Sequence, residues 1–210
     1  MVSAIGVITF DIVGRGHPTF IMAVRDPWGL SMKRYQDMIP NTYKKLVESG
    51  EKGRVSVVNF SVPPEYKPLL KYEKCIDLRT MPYRVYEKMV GALKGLKTEG
   101  KPIFWRLSSI SEFAHWARYY GDAGVIDTFK PLLAWLQTNG AVGVTSINRA
   151  RTSQGLMNEM VSLFPNVLYV NTELGKLTRY YIQIAKSMNP KASPRRKELR
   201  ITPSYRIMIK

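Results

Sequence analysis

The chain has 210 residues, 45% of them hydrophobic, and 32 Lys and Arg against 16 Asp and Glu give it a net charge of +16. That length supplies one well-buried core and is too short for two ordinary domains, so a single domain over 1–210 is expected. No apolar run approaches the roughly 18 residues of a membrane span; one cysteine excludes a disulfide framework, and two histidines, His17 and His115, offer no metal cluster and little for a Ser-His-Asp arrangement. No metal and no cofactor is expected on these grounds. The N-terminus lacks the basic region, apolar block and cleavage site of a secretory signal, which predicts a cytoplasmic protein that does not engage a membrane.

In chain order, residues 1–16 lead into a buried strand within HPTFIMAVRDPWGLS (His17 to Ser31), which runs into a tight turn. Continuous apolar runs at Thr19 to Val24, Val55 to Phe60, Ile103 to Leu107 and Val142 to Thr145 predict strands covered on both faces, as in a parallel sheet. A first helix over Met32 to Glu48 is interrupted by Pro40, so a kink or two shorter pieces are expected. Cys75, in a strand-like KCIDL, reads as a small buried apolar residue. Met81 to Leu96 sets Tyr83, Val85, Val90, Leu93 and Leu96 near one helical face, and Ile126 to Leu136 repeats the pattern with Phe129, Leu132, Leu133 and Leu136. In EFAHWARYYGD, Phe113, Trp116, Tyr119 and Tyr120 mostly share one face of a helix, which a core or a subunit contact explains without a ligand. Gly140 stops the helix that precedes the fourth strand. After Pro165 the segments VLYV, LTRYYIQIA and ELRITPSYRIMI turn strand-rich and suggest an antiparallel edge. Strand–helix alternation followed by that edge predicts an α/β fold, a mainly parallel sheet flanked by helices.

The turn after the first strand is where a phosphate-binding loop would stand, yet the residues that hold phosphates are missing. Laid on GxxxxGK[ST], the segment puts Val24 for the first glycine, keeps Gly29, puts Leu30 where the lysine belongs and keeps Ser31. An aliphatic side chain cannot neutralise a triphosphate. Taken singly, glycines and serines at strand ends are ordinary turn residues. Trp28, a large ring within a turn, reads as filling the emptied pocket or packing on a neighbouring subunit.

Over nearly its whole length the chain resembles a RecA-superfamily P-loop NTPase-like domain of the KaiC-like kind, most closely uncharacterised archaeal members. GVITFDIVGRG (Gly6 to Gly16) is similar to the family's TGIPGFDELLGGG, and GRVSVVNFSVPPE (Gly53 to Glu65) resembles the second core strand with its VTFEEPPE. PIFWRLSSISEF (Pro102 to Phe113) resembles the Walker B strand with DSLSEL, AVGVTSINR (Ala141 to Arg149) the next strand, and Val167 to Ile209 the terminal antiparallel strands with their KxRGSxHSR connection. The resemblance implies a RecA-like fold. It also implies that the chemistry is gone: the catalytic carboxylate pair falls on Ser61 and Val62, and the Walker B aspartate on Ser108, or on Leu107 with a one-residue shift. Of the KxR finger Lys186 is kept and Met188 replaces the arginine, so transition-state stabilisation is lost as well.

Charge is the second signal. From Lys176 to Lys210 ten basic residues face one acidic residue, Glu198, a net +9 in a sixth of the chain. The densest piece, PKASPRRKELR, carries Lys191, Arg195, Arg196, Lys197 and Arg200, and its prolines and small residues predict a projecting hairpin connection. Such a cluster attracts a polyanion through counterion release, although a merely solvated surface explains a charged loop equally well. The resemblance places the loop INRARTSQG at a ring channel, which makes Arg149 and Arg151 candidates for nucleic-acid contact; with few aromatic residues there, phosphate contact without sequence preference is the expectation.

Two function classes follow. In one, the chain is a non-hydrolysing RecA/KaiC-like pseudo-ATPase that serves as an interaction or scaffold module, as a homo-oligomer, beside an active paralogue, or on nucleic acid. In the other, it is an ATP-binding enzyme with a relocated site, Lys33, Lys44 or Lys45 standing in for the missing lysine and Asp26 or Glu112 for the magnesium carboxylate. The first is favoured, because a lysine three residues late lies roughly 4.5 Å further along a helix axis.

Overall fold

In a computed structural model the described residues are 4–24, 36, 40–60, 66–68, 72–77, 79–107, 109–173, 179–201 and 207–209. In chain order they form α1 (Ala4–Gly14), β1 (Thr19–Ala23), α2 (Pro40–Glu51), β2 (Val55–Phe60), β3 (Glu73–Ile76), α3 (Pro82–Lys94), β4 (Phe104–Leu107), α4 (Ala114–Thr138), β5 (Val142–Val144) and α5 (Gln154–Leu163). Four strands follow: β6 (Val167–Glu173), β7 (Arg179–Lys186), β8 (Lys197–Ile201) and β9 (Ile207–Ile209).

The first five strands make a parallel sheet in the order β3-β2-β1-β4-β5, with Thr19 opposite both Val55 and Phe104. Alternation sends Phe20, Met22, Val24, Val58, Phe60, Trp105 and Leu107 into one cluster with α3, α4 and α5, while Ile21, Ala23, Val55 and Val57 join Phe10, Val13 and Leu46 of α1 and α2. Both faces are covered, which is why these strands read as unbroken apolar runs. The leftward connection from β1 to β2 carries α2 on one face, and the rightward connections into β4 and β5 carry α3 and α4 on the other, as right-handed crossovers require. The order reverses between β1 and β4, and sheets of this kind bind ligands beside the carboxyl ends of the strands at that switch point.

The last four strands make a separate antiparallel sheet in the order β6-β7-β8-β9. A mainly parallel sheet flanked by helices with antiparallel strands at the C-terminal end is therefore present.

Local departures from expectation have identifiable causes. Residues 4–14 form a helix although AIGVITFDIVG is rich in β-branched residues; Phe10 and Val13 pack on β1, so tertiary burial overrides propensity. α2 begins at Pro40, where a proline suits the first helical position; residue 36 before it is helical too, and residues 37–39, where the expected interruption would fall, lie outside the described residues. In α3, Val85, Met89, Val90, Ala92 and Leu93 are buried, but Tyr83 is exposed under the guanidinium of Arg84. In the aromatic run Phe113 and Tyr119 do not share a face, and the Trp116 side chain lies outside the described residues. Phe113 lies in a short 3₁₀ turn and is fully buried against Phe60 and Phe129, whereas Tyr119 is exposed, and Gly121 (φ 66°, ψ −175°) breaks the helical phase between Tyr120 and the remainder of α4. Gly140, with φ 64°, ends that helix as expected. β5 is an edge strand with Val142 64% exposed, so it is not covered on both faces. Cys75 is likewise exposed, because β3 is the opposite edge; partial burial and the Glu73 carboxylate raise its thiol pKa and make it a poor nucleophile.

Candidate functional site

The carboxyl ends of the parallel strands close on apolar side chains. Val24, Phe60, Ile76 and Leu107 are all buried, so Val24, expected at the place of a Walker glycine, is a core residue. Gly29, Leu30, Ser31, Ser61, Ser108, Val62, Trp28, Asp26 and Lys33 lie outside the described residues. Lys44 and Lys45 are exposed on α2, and Glu112 is half-buried in the 3₁₀ turn after β4. Among the described residues no group of three or more His, Cys, Asp and Glu could hold a metal ion, and no helix is long and apolar enough to cross a membrane.

Beyond β4 and β5 the chain is fixed by a closed set of hydrogen bonds that sequence reading missed. The Asn148 N–H donates to Ser111 Oγ at 2.6 Å, Ser111 Oγ lies 2.8 Å from Thr152 Oγ1, and Thr152 Oγ1 donates to the Asn148 carbonyl at 2.9 Å. Asn148 Oδ1 accepts from the Ala150 N–H, and Ser153 caps α5 through the Leu156 N–H at 3.1 Å while donating to Asp122. The short turn Arg149–Arg151 is thereby presented rigidly, with Arg149 and Arg151 both exposed. The signal lay in the polar spacing of INRARTS, which marks a capped turn as readily as a loop.

At the other edge Glu73 is buried and accepts from Asn59 Nδ2 at 3.0 Å and from the Tyr66 hydroxyl at 2.7 Å. Burial, followed by the neighbouring Glu73 charge, raises the Tyr72 phenol pKa, which keeps that hydroxyl protonated. Nothing in the pattern YEKCI announces a buried carboxylate; it becomes visible only when β3 pairs with β2.

The basic residues are placed by the second sheet. Antiparallel pairing sets Tyr169 opposite Gln183, Asn171 opposite Tyr181 and Glu173 opposite Arg179, so these six share one face. The Arg149 guanidinium sits over the Tyr169 ring at 5.5 Å, and that of Arg196 over Tyr181 at 3.6 Å while pairing with Glu173. Tyr169 and Glu173 are four residues apart, roughly 13 Å at about 3.3 Å per residue. Arg149, from a distant loop, and Arg196 are thus brought onto one face with Arg179. The arginine loop has no aromatic residue of its own, and Tyr169 and Tyr181 come from the strands.

The remaining cations follow from turn chemistry. In Asn189-Pro190-Lys191 the Asn189 Oδ1 accepts the Lys191 N–H at 3.0 Å, and in Ser193-Pro194-Arg195 the Ser193 Oγ accepts the Arg195 N–H at 3.4 Å. Each turn presents its basic residue outward: Lys191, Arg195 and the adjoining Lys197 are exposed. Arg200 lies within β8, opposite Met208. Lys186 Nζ donates to the Ser162 carbonyl at 3.2 Å, so it fastens β7 to the end of α5.

No protein-family model matches the chain, and no curated protein matches its sequence. Solved structures do match its fold. The crystal structure of the uncharacterised protein PH0321 from Pyrococcus horikoshii, in complex with an unknown peptide, is similar with a TM-score of 0.69 at 11% identity, over 97% of this chain and 83% of that one. The KaiC-like protein PH0186 from the hyperthermophilic archaeon Pyrococcus horikoshii OT3 gives 0.66 at 12% identity, over 97% and 80%. The fold is KaiC/RecA-like. At these identities the similarity speaks for fold alone.

Proposed function

We propose that this chain is a non-hydrolysing RecA/KaiC-like module that works by macromolecular contact, holding a polyanion, single-stranded nucleic acid in the first instance, through phosphate contacts without sequence preference. The observation that carries the reading is the face on which Arg149 covers Tyr169, Arg196 covers Tyr181 and Arg179 stands beside them. Cations set among aromatic rings are what a single-strand groove uses, with the cations meeting the backbone. Loss of nucleotide chemistry is supported by Val24 buried in the core and by Leu30 at the lysine position in the sequence. A peptide in the PH0321 structure is in line with a fold that also serves contact with other chains.

Within the basic set the roles differ. Arg196 is engaged by Glu173 and Tyr181 and shapes the surface, whereas Arg149, Lys191, Arg195 and Lys197 have exposed charge to offer. Fluorescence anisotropy with single- and double-stranded DNA between about 50 and about 200 mM salt tests this, because removing one cation from a phosphate reduces the salt slope by about one. Replacing Arg149, Arg195 and Lys197 by Gln flattens the slope; no measurable binding near physiological salt refutes the reading.

A further inference from the structure

Among the described residues β6 is an edge strand, and its own sequence carries no edge protection. Sheets usually guard an outer strand with lysine, proline, an inward charge or very short length, yet β6 runs for seven residues, VLYVNTE, with no lysine and no proline. Among the described residues β7 is its only hydrogen-bonded neighbour, and the register irregularity between Val167 and Leu168 is confined to its first residue. Its two faces differ sharply. On one, Leu168 is 53% and Val170 60% exposed, beside half-buried Ile184 and Ile182 of β7. On the other, Tyr169 carries the Arg149 guanidinium.

A strand added to this edge would extend both faces at once, and the faces dictate its sequence. Side chains on the Leu168–Val170 side must be apolar to cover exposed aliphatic surface. On the Tyr169 side they meet Arg149, which favours an acidic residue there, while Glu173 on the same face is already paired with Arg196. We propose that the β6 edge is a docking site for an extended peptide segment of alternating apolar and acidic residues, held by main-chain pairing. A second copy of the chain is the poorer occupant: antiparallel pairing of two β6 strands brings together two copies of a face that carries Arg149, in a chain whose net charge is already +16. The inference rests on the reading of the chain as a contact module, but it names the pairing edge of β6, which shares only Arg149 and Tyr169 with the nucleic-acid face, and a different partner.

The test uses the full chain and three labelled synthetic peptides as long as β6. One alternates Glu and Val, one carries Lys in place of Glu, and one is the Glu/Val peptide N-methylated at alternate residues so that its pairing edge cannot donate. Anisotropy is expected to show binding of the first, and a drop of at least tenfold in affinity for the other two. Val170→Lys is expected to weaken the Glu/Val peptide despite adding a positive charge, and Arg149→Gln to weaken it as well, whereas replacing Arg195 and Lys197 by Gln leaves it bound. Equal binding of the N-methylated peptide, or tighter binding to Val170→Lys, would mean plain charge attraction and would overturn the proposal. So would a concentration-dependent dimer in sedimentation that Val170→Lys dissolves, since a second copy would then occupy the edge. Should Val170→Lys fail to fold, the N-methylated peptide against the unaltered chain decides the matter. Single-stranded DNA binding retained by Val170→Lys keeps this outcome separate from that of the nucleic-acid reading.

Discussion

Replacing Phe113 by Ala tests how the segment after β4 is anchored. Its side chain is fully buried, with ring centroids 5.0 Å from Phe60 and 4.9 Å from Phe129 at interplanar angles of 66° and 79°. Truncating a buried Phe to Ala costs about 3–5 kcal/mol, a large part of the roughly 5–15 kcal/mol that a domain has in total. Phe113→Leu retains most of the apolar volume and gives up two edge-to-face ring pairs worth about 0.5–1.5 kcal/mol each, so it falls between the variant and the parent. Tyr119→Ala, six residues on in the same aromatic run, removes an exposed side chain and stays within about 0.5 kcal/mol. Urea unfolding followed by far-ultraviolet circular dichroism measures all three, with an unchanged slope showing that the midpoint shift is a stability change. A destabilisation below about 1 kcal/mol for Phe113→Ala, or equal effects for Phe113→Ala and Tyr119→Ala, would refute the packing described for this segment.

Three further outcomes follow from the same geometry. Ser111→Ala removes the acceptor of the Asn148 N–H and breaks the hydrogen-bonded ring with Thr152, a cost of about 1–3 kcal/mol that hydrogen exchange should register as faster opening around Asn148 while β1 remains protected. Gly143→Ala would drive a Cβ into the Trp105 indole, so overpacking of about 1–3 kcal/mol and an altered near-ultraviolet tryptophan band are expected; an unchanged band would contradict the contact. Arg196 holds the Glu173 carboxyl below the usual carboxylate range, so the pairing stabilises the β6–β7 hairpin above the unfolded value of about 4.3 and is lost as pH falls through the folded value. Exchange at β6 should therefore accelerate on acidification below that point, and Arg196→Gln should abolish the dependence.

The strands of the parallel sheet were legible because burial on both faces leaves an unbroken apolar run, and Thr19 to Val24, Val55 to Phe60 and Ile103 to Leu107 all carry one. The resemblance in segment order gave the KaiC-like fold although pairwise identity to solved neighbours is 11–12%. What escaped was set by contacts between distant segments. α1 is helical because Phe10 and Val13 have β1 to pack on, Cys75 is exposed because β3 lies at an edge, and the aromatic run divides because Phe113 sits in a 3₁₀ turn and Gly121 breaks the helical phase. The candidate face shows the same division. The basic residues could be read along the chain, but the stacking of Arg149 on Tyr169 joins positions twenty apart and depends on how the loop after β5 meets β6.

Equilibrium binding of ATP with magnesium to the full chain, measured by isothermal titration calorimetry with and without the metal, tests the central claim most directly. The account predicts weak or absent binding with no dependence on magnesium, because the proposed reading sets Val24 and Leu30 of the sequence where glycine and lysine would grip phosphate. Tight, magnesium-dependent binding followed by slow release of phosphate would contradict it and restore the relocated nucleotide site.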